Sequence, residues 1–253
     1  MRTILFIVQK EFRQIFRHRT MLPILFLMPF VQLLILPHAA DYEVRNINLQ
    51  VVDRDASGFS RQLISQFEAS DHFRIVAISD HTGGYFSPQG IDVRKALRYA
   101  MNNNNTLKGF TEAEPITNER LLALDVDLLV PAAIGGVITM QNVNDIKAPV
   151  IIEAANAPIQ PDADAVLGER RTLVLPDILS NAGGVTVSYF EWVQNRQHYK
   201  WGLNRVRQEL DHVMTDAFEN VWQLSNERNT SLRTAAYMIA IQRVLRATQL
   251  AGY

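Results

Sequence analysis

Cysteine is absent from the 253 residues. That excludes disulfides, thiolate metal sites and cysteine nucleophiles together. It leaves the compartment open, because a chain without cysteine suits cytosol and periplasm alike. An excess of either charge is missing too. The 25 Lys and Arg against 26 Asp and Glu leave a formal net charge of −1, so neither nucleic acid nor an anionic surface is called for as a partner. Charge of any sign is missing from residues 20–40. Elsewhere the composition is ordinary. Hydrophobic residues are 47% and charged residues 20% of the chain, enough for a sizeable core in one large domain or two small ones. There is no internal repeat.

The uncharged run follows a basic leader in which Arg2, Lys10, Arg13, Arg17 and Arg19 face a single acid, Glu11. About twenty apolar residues suffice for a helix to cross a bilayer, and membrane helices tolerate kinks such as Pro23 and Pro29 would bring. Basic residues before the run, and Asp41 and Glu43 after it, predict a cytosolic N-terminus. Residues 20–40 thus read as a membrane contact and the chain as membrane-associated. Two alternatives stand beside this: a signal peptide cut near His38-Ala39-Ala40, and a buried or interfacial amphipathic helix. If the run does not span, a cytoplasmic location follows from the family resemblance described below.

Several stretches near the N-terminus go together: Gln9-Lys10-Glu11-Phe12-Arg13-Gln14-Ile15-Phe16-Arg17, then Leu22-Pro23, Met28-Pro29 and Asn48-Leu49-Gln50-Val51-Val52-Asp53-Arg54-Asp55, then Phe59-Ser60-Arg61-Gln62-Leu63. Residues 1–75 resemble the start of an ABC-2 type export permease. The resemblance implies a cytosolic helix, a first membrane helix and an extracytoplasmic α/β segment, here 1–40 and 41–75.

Past residue 46 the pattern alternates. Ile47, Leu49 and Val51 have strand spacing, Phe59, Leu63, Ile64 and Phe67 have helical spacing, and Arg74-Ile75-Val76-Ala77-Ile78 is a second strand. This is a βαβ unit, the place where a dinucleotide-binding fold carries its glycine turn. The turn here holds Asp53 and Asp55, and no Gly-x-Gly-x-x-Gly occurs in the chain. Two carboxylates would repel a pyrophosphate. Further strands are expected at Val126-Asp127-Leu128-Leu129-Val130, Val150-Ile151-Ile152 and Leu173-Val174-Leu175, with a helix after Thr117 and a polar loop at Asn102-Asn103-Asn104-Asn105. Strands alternating with helices predict an α/β fold: a Rossmann-like, mostly parallel sheet with flanking helices, preceded by the hydrophobic N-terminal helix. Leu203, Val206, Leu210, Val213, Met214, Ala217, Val221 and Leu224 make one apolar helical stripe.

The stretch Ser180-Asn181-Ala182-Gly183-Gly184-Val185-Thr186-Val187-Ser188-Tyr189-Phe190-Glu191-Trp192 follows the last strand and the turn Pro176-Asp177. It reads as a helix start, with Asn181 as its cap and paired glycines that admit close approach. Taken with Pro131-Ala132-Ala133, Glu153-Ala154-Ala155-Asn156-Ala157-Pro158 and Arg233-Thr234-Ala235-Ala236-Tyr237, it resembles the glutamate dehydrogenases. Residues from about 74 to 253 resemble the rear part of that family's NAD(P)-binding domain, placed here at 76–253.

The resemblance implies NAD or NADP as cofactor, with Ala132 and Ala133 near the nicotinamide-side ribose and Asn156 and Asn181 along the nicotinamide. Asp80, at the end of the second strand, would meet the adenosine ribose and lean toward NAD. Val185 and Ser188 match positions that contact the side chain of glutamate, and 2-oxoglutarate is the implied product. Without the resemblance, Asn156 and Asn181 read as turn formers and Ser188 as a helix-surface hydroxyl. No stretch matches the family's substrate domain, so the expectation is a partial dehydrogenase, inactive alone. The alternatives are a membrane-anchored permease fragment, or a composite chain joined near residues 72–76 with neither activity.

Overall fold

The computed structural model describes residues 47–52 and 72–252. The expected membrane helix, the helix at 59–67 and the turn with Asp53 and Asp55 lie outside the described residues. Among those described, no helix is long and apolar enough to cross a membrane. Residues from Asn46 onward form one compact unit, and the expected boundary at 75/76 falls inside a strand of its sheet.

Seven strands form the sheet: β1 (Ile47–Val52), β2 (Phe73–Asp80), β3 (Gly83–Phe86), β4 (Glu114–Ile116), β5 (Leu128–Pro131), β6 (Val150–Ile152) and β7 (Leu173–Leu175). Their order is β4-β3-β2-β1-β5-β6-β7. β2, β1, β5, β6 and β7 run parallel, while β3 and β4 are antiparallel additions at one edge. The chain therefore builds outward from β1 on one side, then crosses to β5 and builds outward on the other. β1 and β2 are parallel neighbours, as the βαβ pattern predicts.

β5 is buried on both faces, which is why Leu128-Leu129-Val130 reads as an unbroken apolar run. Leu128 and Val130 pack into one core, and Leu129 and Ile151 into the other, as the period of two requires. The register slips at Leu49/Gln50, leaving Val76 of β2 without an opposite residue. Such a bulge lets Val76 and Ala77 share one core while Ile75 and Ile78 face the other.

Helix α1 (Val93–Asn102), capped by Asp92 accepting from the Lys95 N–H at 3.0 Å, covers one face with Val93 and Ala96. Helices α2 (Asn118–Leu122) and α3 (Pro161–Glu169) cover the other with Leu121 and Leu167. Thr117 caps α2, accepting from the Arg120 N–H. After β7 come α4 (Asp177–Ser180), α5 (Gly183–Gln197), α6 (Leu203–Arg228) and α7 (Leu232–Leu250). Leu179, Val221, Leu232, Ala235 and Ala236 make a third core from three of them.

Three local expectations change. The fifth strand sits at Leu128–Pro131 rather than 126–130, where its ladder with β1 begins at Leu49 opposite Leu128. The antiparallel pair β3 and β4, with α1 between them in sequence, has a weak strand signal, because Gly83-Gly84 and Pro115 depress strand propensity, and pairing at the sheet edge forms it. The apolar stripe of α6 has one fully buried member, Val221, while Leu203 and Val213 are exposed. The polar loop holds: α1 ends at Asn102, and Asn104 and Asn105 adopt positive φ, a conformation asparagine tolerates.

Candidate functional site

In open sheets of this kind the ligand crevice lies outside the carboxyl ends of the strands, where the strand order reverses. Here that is the β1/β5 junction. A cleft of about 620 Å3 opens beside it. Ala132 and Ala133 line it where β5 ends, and Ala154, Ala155 and Asn156 where β6 ends. The α4–α5 junction contributes Ser180, Asn181, Gly183, Gly184 and Val185. Five of the seven residues singled out from sequence are therefore together in one cleft.

Each wall has a local cause. The Ala154 and Ala155 N–H groups donate to the Pro131 carbonyl at 3.1 and 2.9 Å, tying the β6 exit to β5. The Gly136 N–H donates to the Ala157 carbonyl at 2.8 Å. A Cβ at Gly135 would come within 2.9 Å of the Asn156 carbonyl oxygen, so only glycine fits there. Gly184 is different. Nothing of the protein lies within 4 Å of a Cβ placed on it, so its open side belongs to the cleft rather than to internal packing.

Asn181 does not cap α5. Pro176, with its φ near the fixed proline value, starts α4 one turn earlier, and Asn181 is the C-cap of α4 while Ala182 precedes α5. The freed Asn181 side chain donates from Nδ2 to Asn156 Oδ1 at 2.7 Å. That pairing uses the Asn181 NH2 and the Asn156 carbonyl oxygen, so that the Asn156 NH2 and the Asn181 carbonyl oxygen are the donor and acceptor not spent on it. The first N–H groups of α5 have no acceptor within the helix, and Gly183 and Gly184 carry two of them at the cleft edge.

The other two candidates stand outside. Ser188 is exposed on α5 one turn beyond Val185, which lines the cleft and is 70% exposed. Asp80 ends β2 as expected, yet it is only 4% exposed and both its oxygens are engaged. Oδ1 accepts from the Thr82 N–H at 2.7 Å and its hydroxyl at 2.5 Å, and Oδ2 accepts from the Leu107 N–H at 2.6 Å. It braces two loops rather than presenting a free carboxylate.

Behind the cleft lies a cluster whose two central members, Glu153 and Arg233, each open a stretch that carries the family resemblance, although nothing in the sequence pairs them. Glu153, 0% exposed, accepts from Arg233 Nη2 at 2.9 Å through Oε1 and from the Asp177 N–H at 2.9 Å through Oε2. Arg233 also donates from Nε to Asp164 Oδ2 at 2.9 Å and lies 3.6 Å from Asp177 Oδ1. Burial works against the charge on Arg233, but hydrogen bonds and attraction from Glu153 and Asp164 outweigh it and hold its pKa above the ordinary arginine value. A further hint in the sequence is the acid directly after the buried run Val150-Ile151-Ile152, since a buried carboxylate demands a partner.

The sheet order and the cleft at its reversal define a doubly wound α/β protein of the dinucleotide-binding type. Residues 61–252 match the Glutamate/Leucine/Phenylalanine/Valine dehydrogenase family, and the chain belongs to it. It is 48% identical over 194 residues to a glutamate dehydrogenase of Thermotoga maritima, covering 77% of this chain and 46% of that protein. With NADP-specific glutamate dehydrogenase A1 of Halobacterium salinarum it shares 44% over 214 residues, 84% of this chain and 51% of the relative. The hetero-hexameric glutamate dehydrogenase of Thermus thermophilus superposes with a TM-score of 0.73 at 26% identity, covering 88% of this chain and 53% of that one. The chain thus spans about half the length of the relatives it matches. The family match begins at Arg61, within the stretch assigned above to the permease resemblance, and these comparisons give that resemblance no support.

Proposed function

We propose that residues 47–252 are the cofactor-holding half of a glutamate dehydrogenase, and that the cleft takes the nicotinamide-ribose end of NAD or NADP. The observation that carries this is the convergence of Ala132, Ala133, Asn156, Asn181 and Val185 on one cleft at the carboxyl ends of the strands. The lining suits the ligand. Alanines and glycines leave room for a flat ring, and the two asparagines offer the donor and acceptor that a primary carboxamide complements. NAD(P), when bound, accepts the hydride from the α-carbon of glutamate in the oxidative deamination to 2-oxoglutarate and ammonia. This chain's part is to hold and orient it: Asn156 and Asn181 fix the ring, and Val185 and Ser188 face the glutamate side chain, with the Ser188 hydroxyl donating to the distal carboxylate.

The same lining supports the second half of the proposal, that the 253-residue chain alone does not turn over. None of the cleft residues is an acid or a base, and a placed proton-transfer group is typically worth about 10²–10⁴ in rate. Binding is weak as well. By its sequence the turn with Asp53 and Asp55 lacks the Gly-x-Gly-x-x-Gly pattern; charge-assisted bonds to a phosphate are worth about 1.5–3 kcal/mol each, so the expected loss of two would lower affinity by roughly two to four powers of ten.

The test is an NMR titration with NADH and NADPH beside a 340 nm trace with glutamate. The expected result is a saturable shift at the cleft that weakens about tenfold in Asn181→Ala, with no absorbance change above background. Turnover that survives purification and disappears in Asn181→Ala would overturn the inactive half. Absence of any shift at the cleft would overturn the cofactor half.

A further inference from the structure

Asn156 and Asn181 come from loops 25 residues apart, which are tied backbone to backbone at their base, where the Glu153 N–H donates to the Leu175 carbonyl at 3.0 Å. Nearer the asparagines they are joined through Asp177 and Glu153, the latter by both its carboxylate and its backbone carbonyl. Asn156 precedes Ala157, whose N–H donates to Asp177 Oδ2 at 2.7 Å. Asn181 follows Ser180, whose hydroxyl donates to the Glu153 carbonyl at 2.5 Å. Asp177 and Ser180 bound the single turn α4, and Glu153 receives the Asp177 N–H as well. The two asparagines are thus each one residue away from an atom fixed by the Glu153–Asp177 pair.

Three carboxylates meet at this point, Glu153, Asp164 and Asp177, and Arg233 of the closing helix faces all three. Its fork satisfies Glu153 and Asp164 with separate N–H groups, a geometry that lysine cannot reproduce. Without that cation Glu153 would be buried as an isolated charge, which proteins avoid by moving the group or its surroundings. Either movement carries α4 with it, and so carries Asn181 away from Asn156.

We propose that Arg233, acting through Glu153 and Asp177, is a positioning residue for the asparagine pair, so that docking of α7 assembles the nicotinamide-side wall of the cleft. Neither Arg233 nor Glu153 lines the cleft; they act by holding α4 and the β6 loop in register. The link to nucleotide affinity rests on the cofactor reading above, whereas the positioning of the asparagines can be read without any ligand.

The experiment uses the full chain in three forms and follows two signals. The first signal is the side-chain amide resonances of Asn156 and Asn181, assigned by substitution. The second is the NADH affinity from the same titration. Asp177→Ala keeps the Glu153–Arg233 contact, and with it the fold, but removes the acceptors of the Ala157 and Ile178 N–H groups and the weaker contact with Arg233. It is expected to shift both amide resonances and weaken NADH about tenfold while the thermal midpoint moves little. Asp177→Asn, which retains an acceptor oxygen, is expected to recover most of both signals. The paired change Glu153→Gln with Arg233→Met removes the charge without stranding a partner, and is expected to shift the same resonances in a cooperatively folded chain. Wild-type amide resonances in folded Asp177→Ala would overturn the proposal. Recovery in Asp177→Asn no better than in Asp177→Ala would overturn it too, because a merely structural site would not distinguish them. If the wild-type chain shows no NADH shift, the cofactor reading fails while the amide resonances still decide the positioning.

Discussion

Two parallel strands end in a buried acid, and the sheet treats them differently. Asp80 at the end of β2 is satisfied by a hydroxyl and two backbone N–H groups, two of these donors only two residues away. Glu153 at the end of β6 is satisfied by Arg233, 80 residues further along, and by the Asp177 N–H. The first arrangement carries no cation. Its carboxylate is solvated by the chain itself, and what it organises is local: the turn into β3 and the loop after α1. The second binds a distant helix to the strand end where the cleft lies. The antiparallel side of the sheet thus stands on neighbourhood contacts. The parallel side becomes complete only when the last helix is in place.

Arg233→Met should break this comparison most severely. It leaves Glu153 charged, buried and without its cation, a loss of about 3–5 kcal/mol visible as a lower urea midpoint at unchanged slope. Adding Glu153→Gln should restore most of it. Equal midpoints for the single and double variants would mean that packing, not charge, holds the parallel side.

Asp80→Ala tests the other acid. The Thr82 and Leu107 N–H groups lose their acceptor, at about 1–3 kcal/mol, and protection from hydrogen exchange should fall at Leu107 while the β6–α4 region keeps its own. A spread of lost protection to α4 would erase the distinction between the two halves. The smallest effect is expected at the surface. Lys95 lies 3.3 Å from Glu112 with both side chains about half exposed, so Lys95→Ala should change stability by about 0.2–1 kcal/mol, and by less in high salt.

Much of the parallel side was legible in the sequence, for a physical reason. Strands covered on both faces must be continuous apolar runs, so Leu128-Leu129-Val130 and Val150-Ile151-Ile152 announce themselves. The antiparallel edge was not, because in Gly83-Gly84-Tyr85-Phe86 and Glu114-Pro115-Ile116 the glycines, glutamate and proline offset the strand preference of Tyr85, Phe86 and Ile116, and pairing supplies the rest. In the cleft, Asn156 and Asn181 were legible as turn residues, and the family resemblance gave their proximity. The hydrogen bond between them was hidden, since it required Pro176 to start a helix early and release Asn181 from capping. Glu153 and Arg233 each stood in a stretch matched to the family, but their pairing left no trace. No period or spacing connects residues that meet only through the third dimension, and residue type alone does not say which arginine a buried acid will find.

The 80-residue interval between Glu153 and Arg233 also has a meaning in time. A ribosome adds about 5–20 residues per second, so Glu153 is made roughly 4–16 s before its cation. During that interval the nascent sheet through β7 can close its two cores, both of which draw on residues before 176, but α4 has no fixed seat. The cleft is therefore completed after both cores, by a helix made later than either of them. A nascent chain stalled before residue 233 should expose α4 to a protease while its cores are already protected, a sequence of events that pulse-labelled synthesis can follow.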